Sequence, residues 1–120
     1  MYTYDQTKGT LSDSAGTVIG QGYSGFQIGK NNPQWQSVSD VGPIPRGMWS
    51  ISDPFDSPDH GPMAMRLEPI AGTLTMGRDG FLMHGDSLTH PGQASHGCII
   101  MPRATRELVA AGTDRTLQVV

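Results

Sequence analysis

The sequence predicts a mainly β domain with one short helix near its C-terminus, and three observations carry that reading. Sixteen Gly and nine Pro, against three Phe, three Tyr and two Trp, describe a turn-rich chain of short elements rather than a helical bundle. Short alternating or β-branched runs recur between the turn clusters, and only the stretch after Pro102 carries helical signals. The length of 120 residues suits one domain, residues 1–120, because the buried fraction of surface falls too low to stabilise two smaller ones.

Taken in order, Tyr2–Tyr4 and Thr17–Ile19 read as strands, followed by the flexible GQGYSG at Gly20–Gly25. Asn31, Asn32 and Pro33 mark a loop. VGPIPRG, at Val41–Gly47, is a loop stiffened by two prolines, with its remaining backbone N–H groups unpaired by neighbours, and it leads into a strand at Met48–Ser52. Ser52–Pro62, polar and proline-containing, is expected to be a long surface loop bordering a pocket. Met63–Leu67 alternates as a strand does, and Leu74–Met76 is expected to pair with Phe81–His84 across the turn GRDG. That leaves His84 at a strand end. After a loop at Gly85–Ser95, Cys98–Met101 is an apolar run that should be buried. Pro102 suits a first helical turn, with Ala104, Leu108 and Ala111 sharing one face and Gly112 as a left-handed cap. Thr116–Val120 reads as the last strand.

A formal charge of −3 and the absence of any Lys or Arg run give no electrostatic basis for gripping nucleic acid. No stretch reaches the roughly 20 apolar residues of a membrane span. The opening MYTYDQTKGT lacks the basic start and apolar core of a secretory signal, so the chain is expected to be made in the cytoplasm without a signal peptide. A single cysteine cannot form an intrachain disulfide, which leaves Cys98 as a buried hydrophobe, a metal ligand or a nucleophile.

The chemistry concentrates in FLMHGDSLTHPGQASHGCIIMPRATRE, Phe81–Glu107, with three of the four histidines and the only cysteine. A thiol attacks only as thiolate, and an imidazole titrating near neutral pH is its usual base. His84, delivered from a separate strand, is the better base. His96, two residues from Cys98, would need a sharply bent backbone to serve. Gly97 permits a turn in which the N–H groups of Gly97 and Cys98 converge on one spot, the nest that an oxyanion requires.

His84–Gly85, followed after a gap by SHGCI at Ser95–Ile99, resembles the catalytic signature of the L,D-transpeptidase (YkuD-type) domain. Together with GYSG at Gly22–Gly25 and GPIPRG at Gly42–Gly47, the chain resembles the short branch of type VI secretion L,D-transpeptidase effectors. The resemblance implies a mixed β-sandwich and a peptidoglycan stem tetrapeptide as substrate. Cys98 would attack the carbonyl at the L-centre of residue three and expel the terminal D-amino acid. His84 would move the proton, oriented by a backbone carbonyl such as that of Gly85, while His96 and Gly97 shape the oxyanion site. The thioester would pass to water, a free D-amino acid or another stem. Many relatives carry Arg where this chain has Ile100, so Arg103 or Arg46 would supply a cation for the substrate carboxylate. Tyr23 and Ser95 join the expected substrate-binding set, Tyr23 as a cleft wall or core aromatic and Ser95 chiefly as a hydrogen-bonding brace of its loop.

The effector resemblance further implies delivery into the periplasm of a rival bacterium by a secretion system, with a secretion component and an immunity protein as partners. No cofactor is called for. Two other readings compete. A zinc site could draw on His84, Asp86, His90, His96 and Cys98, although no close-paired zinc motif is present. A non-catalytic module could use the same fold to bind cell wall or a partner. Papain-like peptidases are disfavoured because they place Cys before His in the chain. His60 reads as an exposed loop residue.

Overall fold

The computed structural model describes residues 1–120 and is mainly β, with its one α-helix near the C-terminus. Ten strands form one mixed, strongly bent ladder. The strands are β1 (Tyr2–Asp5), β2 (Thr10–Ser12), β3 (Val18–Gln21), β4 (Tyr23–Ser24), β5 (Gly47–Ile51), β6 (Phe55–Ser57), β7 (Gly61–Pro69), β8 (Leu82–His84), β9 (Ile99–Ile100) and β10 (Thr116–Val119). Their spatial order is β3-β2-β1-β10-β5-β7-β8-β9-β4, with β6 added on β7. The β1–β10 and β8–β9 pairs are parallel. The helix α1 spans Arg103–Ala111 and lies against β7.

The long strand β7 is the pivot of the ladder. Its C-terminal part, Leu67–Pro69, pairs with β5, its middle, Met65 and Arg66, with β8, and its start with β6. Alternation in this segment sends Met65 and Leu67 inward, where they meet Trp49, Ile51, Met83, Ile99, Leu117 and Val109 of α1 in one core. Trp49 packs edge-on against Phe81 at 5.1 Å and satisfies its indole N–H on Pro45 O, so the largest buried ring leaves no polar group unpaired. Each such buried side chain contributes roughly 1.5–3 kcal/mol.

Four expectations need correction. Ser52–Pro62 is not a loop: β6 turns back on β7 through Pro58–His60, with Phe55 opposite Ala64. Leu74–Met76 is not a strand, and GRDG closes no hairpin; β8 takes its partners from β7 and β9, and Leu74 stays exposed. The GYSG segment, read as flexible, supplies β4, which pairs with β9. In α1 Ala104, Leu108 and Ala111 do share one face, and it points outward, while Thr105, Arg106 and Val109 are inward. Gly112 ends the helix in extended geometry, φ −78°, not as a left-handed cap. The strand Thr10–Ser12 had no expectation attached to it.

Candidate active site

The parallel register of β8 and β9 sets the geometry. Met83 lies opposite Ile99 and His84 opposite Ile100, so Cys98, just before β9, falls level with Leu82. The Leu82 N–H points to Cys98 Sγ at 3.4 Å. Because side chains alternate along a strand, Cys98 and His84 project on the same face of neighbouring strands, one pleat repeat apart. Cys98 is half-buried and His84 buried.

His84 Nδ1 sits 2.8 Å from Gly85 O. A carbonyl only accepts, so Nδ1 carries the proton and Nε2 holds the free lone pair. That Nε2 is buried and has no hydrogen-bond partner in the protein, Cys98 Sγ included. Burial pushes the ring's pKa down to about 4, opposed by the Gly85 carbonyl and reinforced by His60 and Arg106, so the ring is neutral at pH 7 and ready to accept a proton. The Cys98 thiol is pushed up by burial, and the Leu82 N–H and the Arg78 cation pull it back. Cys98 is therefore a protonated thiol that needs a base.

Two cavities join at this point. One, of about 360 Å³, is lined by Cys98, Gly97, Arg78 and Phe81; the other, of about 800 Å³, by His84, Gly85, Asp86 and Arg106. His60, Ala94 and His96 line both, so Cys98 and His84 lie in adjoining cavities. A third cavity of about 480 Å³ lies across Gly85–Leu88, with Tyr23 and Arg103 in its wall.

The loop that carries Cys98 is braced from behind. Ser95 is fully buried; its Oγ donates to Cys98 O and accepts from the N–H groups of Gly25 and Gly97. Ser95 thus holds the loop and is out of reach of a substrate, which removes it from the expected substrate-binding set. Ser24 Oγ donates to Gly97 O and accepts from Ile44 N–H, tying GYSG and GPIPRG to the Cys98 loop. Gly97 has φ +136°, and a Cβ there would meet Arg78 Nη2 at 2.6 Å and the Phe81 ring at 3.0 Å. Only glycine fits that place.

Of the two N–H groups expected to form an oxyanion nest, one is already taken. The Gly97 N–H is taken by Ser95 Oγ at 3.2 Å, whereas the Cys98 N–H makes no backbone hydrogen bond and stays available. His96 is exposed; its ring stacks on Phe26 and its Nδ1 meets Asp40 O, away from the base position. Tyr23 is buried, with its hydroxyl donating to Asp86 Oδ1 at 2.6 Å and accepting from Ala94 N–H at 2.9 Å. It pins the Gly85–Ser95 loop. Arg46 is exposed and lines none of the three cavities, and Arg103 pairs with Glu107 at 3.0 Å on the outer surface. The zinc set does not gather, because His84, Asp86, His90, His96 and Cys98 converge on no common point.

Three side chains escaped the sequence reading. His60, in the β6–β7 turn, stacks on His84 with ring centroids 4.4 Å apart. Arg78 is buried beside Cys98, its guanidinium donating to the carbonyls of Gln36, Gly42, Pro43 and His96. These acceptors are why GPIPRG is rigid: its carbonyls, rather than its N–H groups, face the site. Arg106 is buried under Gly85. Neither arginine gave a signal, because a cation is the ordinary occupant of a turn or an outer helix face.

A profile of the Tlde1 domain matches residues 19–120. That match spans every element from β3 onward, including both strands of the Cys98–His84 pair. The chain belongs to the Tlde1 domain family. This is the domain of type VI secretion L,D-transpeptidase effectors, the branch that the SHGCI, GYSG and GPIPRG segments resemble. A search of curated proteins returns no match. No helix of this Tlde1 domain is long and apolar enough to cross a membrane.

Proposed function

We propose that this Tlde1 domain is a cysteine-dependent peptidoglycan stem peptidase and transpeptidase. The observation that carries the reading is the neutral His84, held by Gly85 O in the Nδ1–H form with a buried, unpartnered Nε2, its cavity adjoining that of Cys98. In this reading a tetrapeptide settles between the two side chains and closes the one-pleat gap. His84 Nε2 takes the thiol proton as Cys98 Sγ bonds to the carbonyl carbon at the L-centre of residue three. The Cys98 N–H meets the developing oxyanion. The carbon–nitrogen bond to the terminal D-residue then breaks, the proton passes from His84 to the leaving amine, and a thioester remains on Cys98. Water restores the thiol and yields a tripeptide; an amine of a D-amino acid or a second stem yields exchange or a cross-link.

The biological setting follows from the family. An effector of this kind acts on peptidoglycan after delivery by a type VI system into the periplasm of a target cell, and the producing cell carries an immunity protein against it. The chemistry is tested by intact-mass measurement of the protein mixed with purified tetrapeptide at low temperature. An adduct equal to the tripeptide acyl group, mapped to Cys98 and absent in Cys98→Ala, is expected; an adduct elsewhere, or none alongside turnover, overturns the thioester.

A further inference from the structure

Arg106 has no ion-pair partner in the protein: Glu107, whose charge favours the cation, pairs with Arg103 instead. Its guanidinium is buried, with Nε donating to Met101 O at 3.0 Å and Nη1 to the carbonyls of Pro62 and Met63 at 2.8 and 3.0 Å. These dipoles orient the group but carry no net charge. The three ion pairs of the molecule join Met1 to Asp114, Arg103 to Glu107 and Arg115 to Asp53, and none reaches Arg106. Asp86, the nearby carboxylate in the same groove, spends its oxygens on the Tyr23 hydroxyl and the N–H groups of Ser87 and Gly92.

The remaining nitrogen, Nη2, makes no hydrogen bond and lies 2.7 Å from where a Gly85 Cβ would stand. The missing side chain at Gly85 thus lets the cation approach the groove wall next to His84. A buried cation with one free, directed N–H face beside a groove is a carboxylate site by its chemistry.

The reaction decides which carboxylate. His84 returns its proton to the amine of the expelled residue, so that residue must sit against His84, and its own carboxylate is one carbon removed from that amine. We propose that Arg106 recognises the terminal carboxylate of the D-residue being expelled, the role that neither Ile100 nor the outward Arg103 and Arg46 fills. The assignment rests on the peptidase reading above.

The test compares kcat/KM for release of the terminal D-residue from the stem tetrapeptide and from the same peptide with its C-terminus amidated. For the wild-type protein amidation is expected to lower kcat/KM by about 10- to 100-fold, the worth of a charged hydrogen-bonded pair. Arg106→Gln should bring the acid down to the level of the amide and lose nothing further on amidation. Because Arg106 also ties α1 to β7, the wild-type comparison alone decides if that variant is unfolded by circular dichroism. Equal turnover of acid and amide by the wild-type protein, or full discrimination retained in Arg106→Gln, overturns the assignment while leaving the peptidase reading intact. Turnover of neither peptide by the wild-type protein overturns both.

Discussion

The rings of His60 and His84 stack at 4.4 Å with 27° between their planes, so that a residue from the β6–β7 turn covers the imidazole at the end of β8. His60 remains exposed on its outer side while His84 beneath it is buried. The outer ring thereby helps to make the dry environment that keeps the inner one neutral.

Removing that cover should change when His84 titrates. In His60→Ala water reaches the ring, a neighbouring imidazole that disfavours the charged form is lost, and the pKa should climb from about 4 toward the ordinary 6.5. His60→Phe, which keeps the stack, should hold it low. Proton NMR titration of the His84 ring reads the shift directly; an unchanged titration in His60→Ala would show that the stack does not set it.

The depressed value also bears on stability. Between the unfolded value near 6.5 and the folded value of about 4, the unfolded chain binds the His84 proton and the folded one does not, so stability from this group is present above pH 6.5 and drains away as the pH falls to 4. His84→Gln should flatten that part of the pH dependence. Urea unfolding of both proteins at pH 7 and pH 4.5 measures it, and equal losses in the two would contradict the assigned titration.

Gly97→Ala should be costly twice over. The residue's φ of +136° is hostile to an L side chain, and the added methyl meets both the Arg78 guanidinium and the Phe81 ring. A destabilisation of about 1–3 kcal/mol is expected, with turnover reduced at least tenfold because Cys98 is the next residue. Calorimetry and a D-amino acid release assay check the two halves.

Arg78→Met should show whether this cation acts on Cys98. It removes donors to four carbonyls and the cation that favours a Cys98 thiolate, so the thiol should titrate still higher. The pH profile of iodoacetamide alkylation, followed at Cys98, should move to higher pH; a profile that stays in place would assign Arg78 to loop support alone.

Much of the site was legible because its chemistry is local: SHGC places Cys98, its supporting serine and the obligatory glycine within four residues, and the apolar run after it forces a buried strand. The β8–β9 pairing was not legible, since GRDG suggested a local hairpin and the true partners come from distant segments. His60 is exposed in a turn as expected, but its stack on His84 was not legible, because Ser52–Pro62 has turn chemistry throughout and only tertiary pairing makes Phe55–Ser57 a strand. In α1 the apolar face was legible but its direction was not. The surface the helix covers presents open carbonyls of Ile19, Pro62 and Met63, which select Thr105 and Arg106 inward and leave Leu108 outside.

The central claim is tested most directly by mass spectrometry of tetrapeptide muropeptides incubated with wild-type protein, Cys98→Ala and His84→Ala. The account predicts loss of the terminal D-residue, or its transfer, with the wild type only, while both variants keep wild-type circular dichroism. Undiminished product from folded Cys98→Ala would contradict it.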